Sequence, residues 1–347
     1  MTIRNIYFLI ALSLFYSSFS HSNQPIKVGE VKGTQITGVT VSDAGSVFVN
    51  APNWRDGVQF AVAKLINNKF VPFPNNKINS CVAESDVKDN CFLAVQSVVA
   101  HGDRLYILDT RNPQFKGVVD APRIFVVDLH KSKVENVLKL SNDAYHQDSY
   151  INDLRVDNKT NRIYMTDSNH AGIVVYNLND GTSYRVLDNH VFTKSEVNKL
   201  DIKGVPFIAS VHSDGIALDR TNDTLYFHAL TGYSLYAINT SAIVPGLDSE
   251  IEKNVRLVAK TGAPDGMLYH NGVIYLADLE RNLIQYLTPS LDLRTLVSGD
   301  KVSWADTFSV YKGNLYYTNS KIHLAGEKVD DMTFEVFKVP LPNGITY

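Results

Sequence analysis

The stretch Asp214-Gly-Ile-Ala-Leu-Asp-Arg-Thr-Asn-Asp-Thr-Leu-Tyr-Phe-His228 decides the fold. Its first run has the side-chain period of a strand, so Ile216 and Leu218 share one face; Leu225 and Phe227 do the same in the second run. Between the runs, Arg220-Thr-Asn-Asp223 supplies the polar turn of a hairpin. The same pattern returns at Gly38–Val49, Ser97–Asp109, Asn152–Asp167, Asp265–Asp278 and Asp306–Asn319. A hairpin that recurs every roughly 40 to 60 residues marks a radially repeated sheet, in which each unit buries its faces only against its neighbours. Six units predict an all-β, six-bladed β-propeller.

Working outward, third strands follow the hairpins at Arg123–Leu129, Gly172–Leu178, Ser234–Ile238, Leu283–Leu287 and Thr333–Val339, and fourth strands at stretches such as Ser183–Leu187 and Val255–Ala259. A ring also has to close, because an unpaired edge invites aggregation. Ile26–Val31 or the strand near Phe334 is expected to supply the closing edge. Helical periodicity is nearly absent; Lys194–Leu200 is the one stretch expected to form a short helix.

No Pro/Gly/Ser-rich linker interrupts the repeats, so residues 23–347 are expected to form a single domain. Residues 1–22 read differently: Arg4 precedes an apolar run from Ile6 to Tyr16, and small residues stand two apart at Ser18 and Ser20. That is the pattern of a secretory signal peptide. The run is about half the roughly 20 apolar residues a membrane helix needs, so no membrane association is expected after cleavage. The formal charge of −3 is spread over mixed signs, with no Lys/Arg stripe of the kind nucleic acid requires. In a secreted chain, two cysteines close in sequence, Cys81 and Cys91, favour a disulfide over two free thiols.

In a propeller the innermost strand of each blade lines the channel, and its first residues stand at one mouth, where ligands usually dock. Those positions are polar here: Thr37, Gln96 or Ser97, Asn152 with Asp153, Ser213 with Asp214, Asp265 and Asp306. Trp304, Phe308 and Tyr150 border them. Aromatic walls beside carboxylates suit an aromatic amine, through cation–π contact and charge neutralisation. The expected ligand-binding residues are therefore Asn152, Asp153, Asp214, Asp265, Trp304, Asp306 and Phe308. The alternatives are that the acids and amides cap strand starts and that the rings pack between blades.

Other constellations carry less. His212-Ser-Asp214 holds the residue types of a triad, but neighbours on an extended strand point to opposite faces. No Gly-x-Ser-x-Gly elbow occurs, and no His-x-x-x-His or His-x-His pair offers a zinc site. Any of His101, His228 and His270 lying near the mouth could serve as a proton shuttle.

The run Cys91–Arg111, with Ala121–Leu129, Tyr150–Asp157, Tyr164–Ser168, Gly172–Tyr176, Ser213–Leu218 and Leu225–Leu230, resembles the yellow/major royal jelly protein family. The resemblance extends from about residue 80 to about residue 320 and implies a secreted six-bladed propeller. It further implies small-molecule binding in the channel, since some insect members bind biogenic amines, and isomerase-type turnover, since some isomerise dopachrome-type quinones. Arg111 departs from the family motif, which usually has Gly there.

A more distant likeness is to the senescence marker/gluconolactonase-like propellers. Asn152-Asp153, Ser213-Asp-Gly215 and Pro264-Asp-Gly266 resemble three of the four places where metal-dependent lactonases hold a divalent cation. That likeness implies Ca²⁺ or Mg²⁺ on Asn152, Asp214 and Asp265, and a lactonase or esterase activity. The fourth ligand should be a Glu, and Thr37 stands in its place. An extracellular protein-interaction module is the third functional class left open.

Overall fold

A computed structural model describes residues 24–81 and 89–342. The expected signal peptide, residues 1–22, lies outside the described residues. Six four-stranded antiparallel sheets follow one another around the ring, one for each repeat. Their innermost strands are Gly38–Val41, Val95–His101, Ile151–Asp157, Ser213–Asp219, Met267–His270 and Ala305–Tyr311, which begin blades one to six in that order.

Both of the expected closing strands take part in the closure. Blade six runs from Ala305–Tyr311 through Asn314–Asn319 to Thr333–Pro340, and Ile26–Lys32 adds as its outermost strand. The pairing is antiparallel, from Ile26 opposite Lys338 to Lys32 opposite Thr333. Apolar packing continues across this seam: Phe334 and Val336 of blade six share one core with Phe48 and Val49 of blade one and Val98 and Leu105 of blade two.

The short helix expected over Lys194–Leu200 is not formed. Lys199–Ile202 instead pairs with Val205–Ile208 in a hairpin between blades three and four. Leu200 and Ile202, two apart, are both buried, which a strand allows and a single helical turn does not. Lys203 and Gly204, both at positive φ, make the turn. The disulfide joins Cys81 to Cys91 and ties the crossover from blade one to the start of blade two. Among the described residues, no helix is long and apolar enough to cross a membrane.

Candidate functional site

Four innermost strands break register as they begin, between Val95 and Ser97, Ile151 and Leu154, Ser213 and Ile216, and Ala305 and Phe308. Such a bulge leaves residues unpaired and re-aims their side chains. Here Gln96, Asn152, Asp214 and Asp306 face one cavity of about 320 Å³, and Asp265 joins them from the loop before Met267–His270. Aromatic side chains from the mouth-side segments wall this polar floor. On one side Phe115 stacks on Tyr150 with centroids 4.6 Å apart. Trp54 Nε1 donates to the Tyr150 hydroxyl at 2.6 Å, which donates to Gln96 Oε1 at 2.9 Å. On the other side Phe207, carried by the inserted hairpin, meets Trp304 edge to face at 5.0 Å.

Of the expected site residues, Asn152, Asp214, Asp265, Trp304 and Asp306 line this cavity. Asp153 does not. It accepts from Ser97 Oγ at 2.7 Å and pairs with Arg155 at 2.8 Å, which satisfies its charge. Phe308 is corrected outright: the register break at Ala305 turns it into the core with Tyr275, Leu315 and Tyr317. Trp54, Arg55, Phe115 and Phe207 are not among the expected residues, because they stand on loops and an inserted hairpin that no repeat contains. Arg111, Gln114 and Phe115 all have positive φ, so one wall rests on an unusual loop that nothing in the hairpin pattern announces.

The three acids of the floor repel one another. Burial pushes the Asp214 and Asp265 carboxyls well above the ordinary range, and the charge of Asp306 raises both further. Burial likewise pushes Asp306 up to about 7, with Asp153 adding to the effect. Their hydrogen bonds come from neutral donors. Asn152 Nδ2 donates to Asp214, Trp304 Nε1 to Asp265 Oδ2 at 2.5 Å, and Thr307 Oγ1 to Asp306 at 3.0 Å. Arg55 stands on the rim and donates to Gln35 Oε1 at 2.6 Å.

At two of the places that the lactonase likeness implies for a cation, the donors are arranged differently here. A hard cation takes six or more converging oxygens. Thr37, in the Glu position, accepts through its Oγ1 from Asn50 Nδ2 at 3.2 Å. Asn152 turns its N–H, not its oxygen, toward Asp214. Asp214, Asp265 and Asp306 do not bring an oxygen each to within 4.8 Å of one another; among the described residues, one His/Asp set elsewhere does. Among the described residues no His lines the cavity, so none stands where a histidine shuttle would. His228 is buried between Ala229 O and Thr261 Oγ1, and burial lowers its pKa to about 4.

The family model described as "Major royal jelly protein" matches residues 94–322. Major royal jelly protein 3 of Apis mellifera is 24% identical over 145 residues, covering 40% of this chain and 27% of that protein. Major royal jelly protein 1 of the same species is 24% identical over 148 residues, 40% of this chain and 34% of the relative. The matched region thus spans about a third of the length of these relatives. Among solved structures, a gluconolactonase from Xanthomonas campestris superposes with a TM-score of 0.55 at 14% identity, over 90% of this chain and 87% of that one. At that identity the likeness is one of fold alone.

Proposed function

From the premise that the chain belongs to the major royal jelly protein family, we propose that its channel mouth binds a small aromatic amine. One observation carries this reading: three mutually repelling acids, hydrogen-bonded only to neutral donors, lie beneath walls of Trp54, Phe115, Tyr150, Phe207 and Trp304. An ammonium group relieves the repulsion. The rings offer stacking and cation–π contact, the latter about 2 kcal/mol when water is excluded. A cavity of about 320 Å³ lies at the small end of ligand sites and suits one ring with a short side chain. The disulfide supports an oxidising, extracytoplasmic setting, which we read together with the N-terminal sequence as secretion.

The acid floor makes binding pH-dependent. An ammonium ligand needs Asp306 ionised, and with its pKa near 7 only about a tenth of it is ionised one unit lower. Affinity for tyramine is expected to rise about tenfold between pH 6 and pH 8, with protons released on binding. Calorimetry in two buffers of different ionisation enthalpy measures both. An affinity flat across that range would refute an ionised acid as the ammonium partner.

Asp306 also favours a second reading. A carboxyl poised near neutrality can take a proton from one position of a bound quinone and return it at another, which is isomerase-type turnover. Under this reading Asp306→Asn loses dopachrome isomerisation, followed by absorbance, by more than about 100-fold. Undiminished turnover in that variant would remove it.

A further inference from the structure

Outside the channel, the mouth-side loops of blade three bring two imidazoles and a carboxylate together. His146 lies in the loop before Ile151–Asp157, His170 between the strands Arg162–Asp167 and Gly172–Asn177, and Asp188 just after Ser183–Val186. The two rings stack with centroids 3.7 Å apart and planes 26° from parallel. His146 Nε2 is 3.0 Å from Asp188 Oδ2, and His170 Nε2 is 3.9 Å from Asp188 Oδ1. One donor atom from each of the three lies within 4.8 Å of the others. Tetrahedral coordination with bonds of about 2.0–2.1 Å sets donors about 3.3 Å apart, so the two stacked surface rings must turn their nitrogens toward a common point for both to coordinate.

A second observation concerns which ring nitrogen is available. His170 Nδ1 is 3.0 Å from Asp148 Oδ1, a bond that places the ring proton on Nδ1 and leaves the Nε2 lone pair facing Asp188. A carboxylate behind the far nitrogen is the arrangement that orients metal-binding histidines. The local charge also suits a cation. Arg185 does contact Asp188 Oδ1, at 2.7 Å, but its guanidinium is offset by Asp167 at 2.9 Å, which leaves Asp148 and Asp188 in excess. The cluster is accessible, with His146 and Asp188 about two-fifths exposed, and opens on a surface cavity that His190 and Glu252 also line.

We propose that His146, His170 and Asp188 bind a divalent transition-metal ion of the zinc type on the mouth face of blade three. Two imidazole nitrogens with one carboxylate form a donor set for zinc, not for calcium or magnesium, and three protein ligands leave a fourth position open to solvent. The site is separate from the acid floor and does not depend on the amine reading.

Chelator-stripped, untagged protein titrated with Co²⁺ tests this through the visible bands of tetrahedral Co²⁺, with Zn²⁺ added to displace it. One equivalent is expected to saturate the signal. His146→Ala and Asp188→Asn should each weaken binding by more than about tenfold, and Asp148→Asn, which removes only the orienting carboxylate, by about 10–100-fold. Circular dichroism without metal identifies variants that stay folded, and Asp148→Asn decides if a ligand variant does not. The protein carrying Asp265→Asn and Asp306→Asn should bind Co²⁺ unchanged. Absence of saturable binding, or equal binding by wild type and by a folded His146→Ala, His170→Ala double variant, would overturn the site.

Discussion

Replacing Asp265 and Asp306 together by asparagine is expected to abolish tyramine binding and to raise the melting temperature at pH 8. The affinity loss should exceed about 100-fold, because removing the acidic partner of a desolvated ammonium costs about 2–5 kcal/mol. The stability gain follows from linkage. Both carboxyls have folded pKa values above their unfolded ones, Asp306 at about 7 and Asp265 raised in the same direction. Their contribution is fully present below the unfolded pKa, near 4, and is lost as pH rises through the folded values. At pH 8 the wild type therefore holds Asp306 ionised in a buried site beside other acids, a cost that asparagine removes. The amide oxygen introduced by Asp265→Asn can still accept the Trp304 N–H bond, so the cavity keeps its shape. Calorimetry with tyramine and thermal melts from about pH 4 to about pH 8 measure both arms. Binding within tenfold of wild type would show that the amine does not sit on these acids. A melting temperature that falls at pH 8 would show that the acids are structural.

Arg111→Met is expected to destabilise the fold by about 3–5 kcal/mol, the usual consequence of removing one partner from a buried ion pair. Arg111 is wholly buried; its guanidinium lies 3.5 Å from Asp109 and 2.5 Å from Asp120, and donates to Cys91 O at 3.3 Å. Asp109 in turn accepts from the backbone N–H groups of Leu93 and Ala94 at 2.8 and 3.0 Å, which fixes the approach to the bulge that aims Gln96. The backbone at Arg111 has φ +56°, the left-handed region that glycine occupies freely. This gives a physical reason for the glycine that the family resemblance implies there. Arg111→Gly relieves about 1–2 kcal/mol of backbone strain yet still leaves Asp109 without its cation, so it should fall between wild type and Arg111→Met. Urea midpoints order the three proteins; a glycine variant as stable as wild type would limit the contribution of the ion cluster to the about 1–2 kcal/mol of strain relieved.

The sequence made the ring and the acid floor legible for one reason: both recur at a fixed place in a period-two repeat. Asp214, Asp265 and Asp306 stand where each innermost strand begins, so the pattern that located the strands also located them. Of the aromatic walls, Tyr150 and Trp304 were legible beside strand starts, whereas Trp54, Phe115 and Phe207 were not, since they come from segments outside the repeat. Phe308 was misplaced because a bulge shifts register by one residue and reverses which face a side chain meets, and no residue type announces the bulge. The alternation of Leu200 and Ile202, which makes Lys199–Ile202 a strand, extends beyond the end of Lys194–Leu200. His146, His170 and Asp188 met only because the turns of blade three return to one face, and no spacing in sequence marks that meeting.

The shared blade six has a consequence for the nascent chain. Ile26–Lys32 is made early and has no partner until Thr333–Pro340 appears about 300 residues later, some 15–60 s at ordinary rates of translation. The ring that carries the mouth closes only when that last strand pairs with Ile26–Lys32, although every residue lining the cavity, as far as Ile322, is made before it. A product released short of Phe334 is left as an open ring with two bare sheet edges, the surfaces most prone to pairing with other chains. Protection from such pairing is thus a property of chains translated through the last strand.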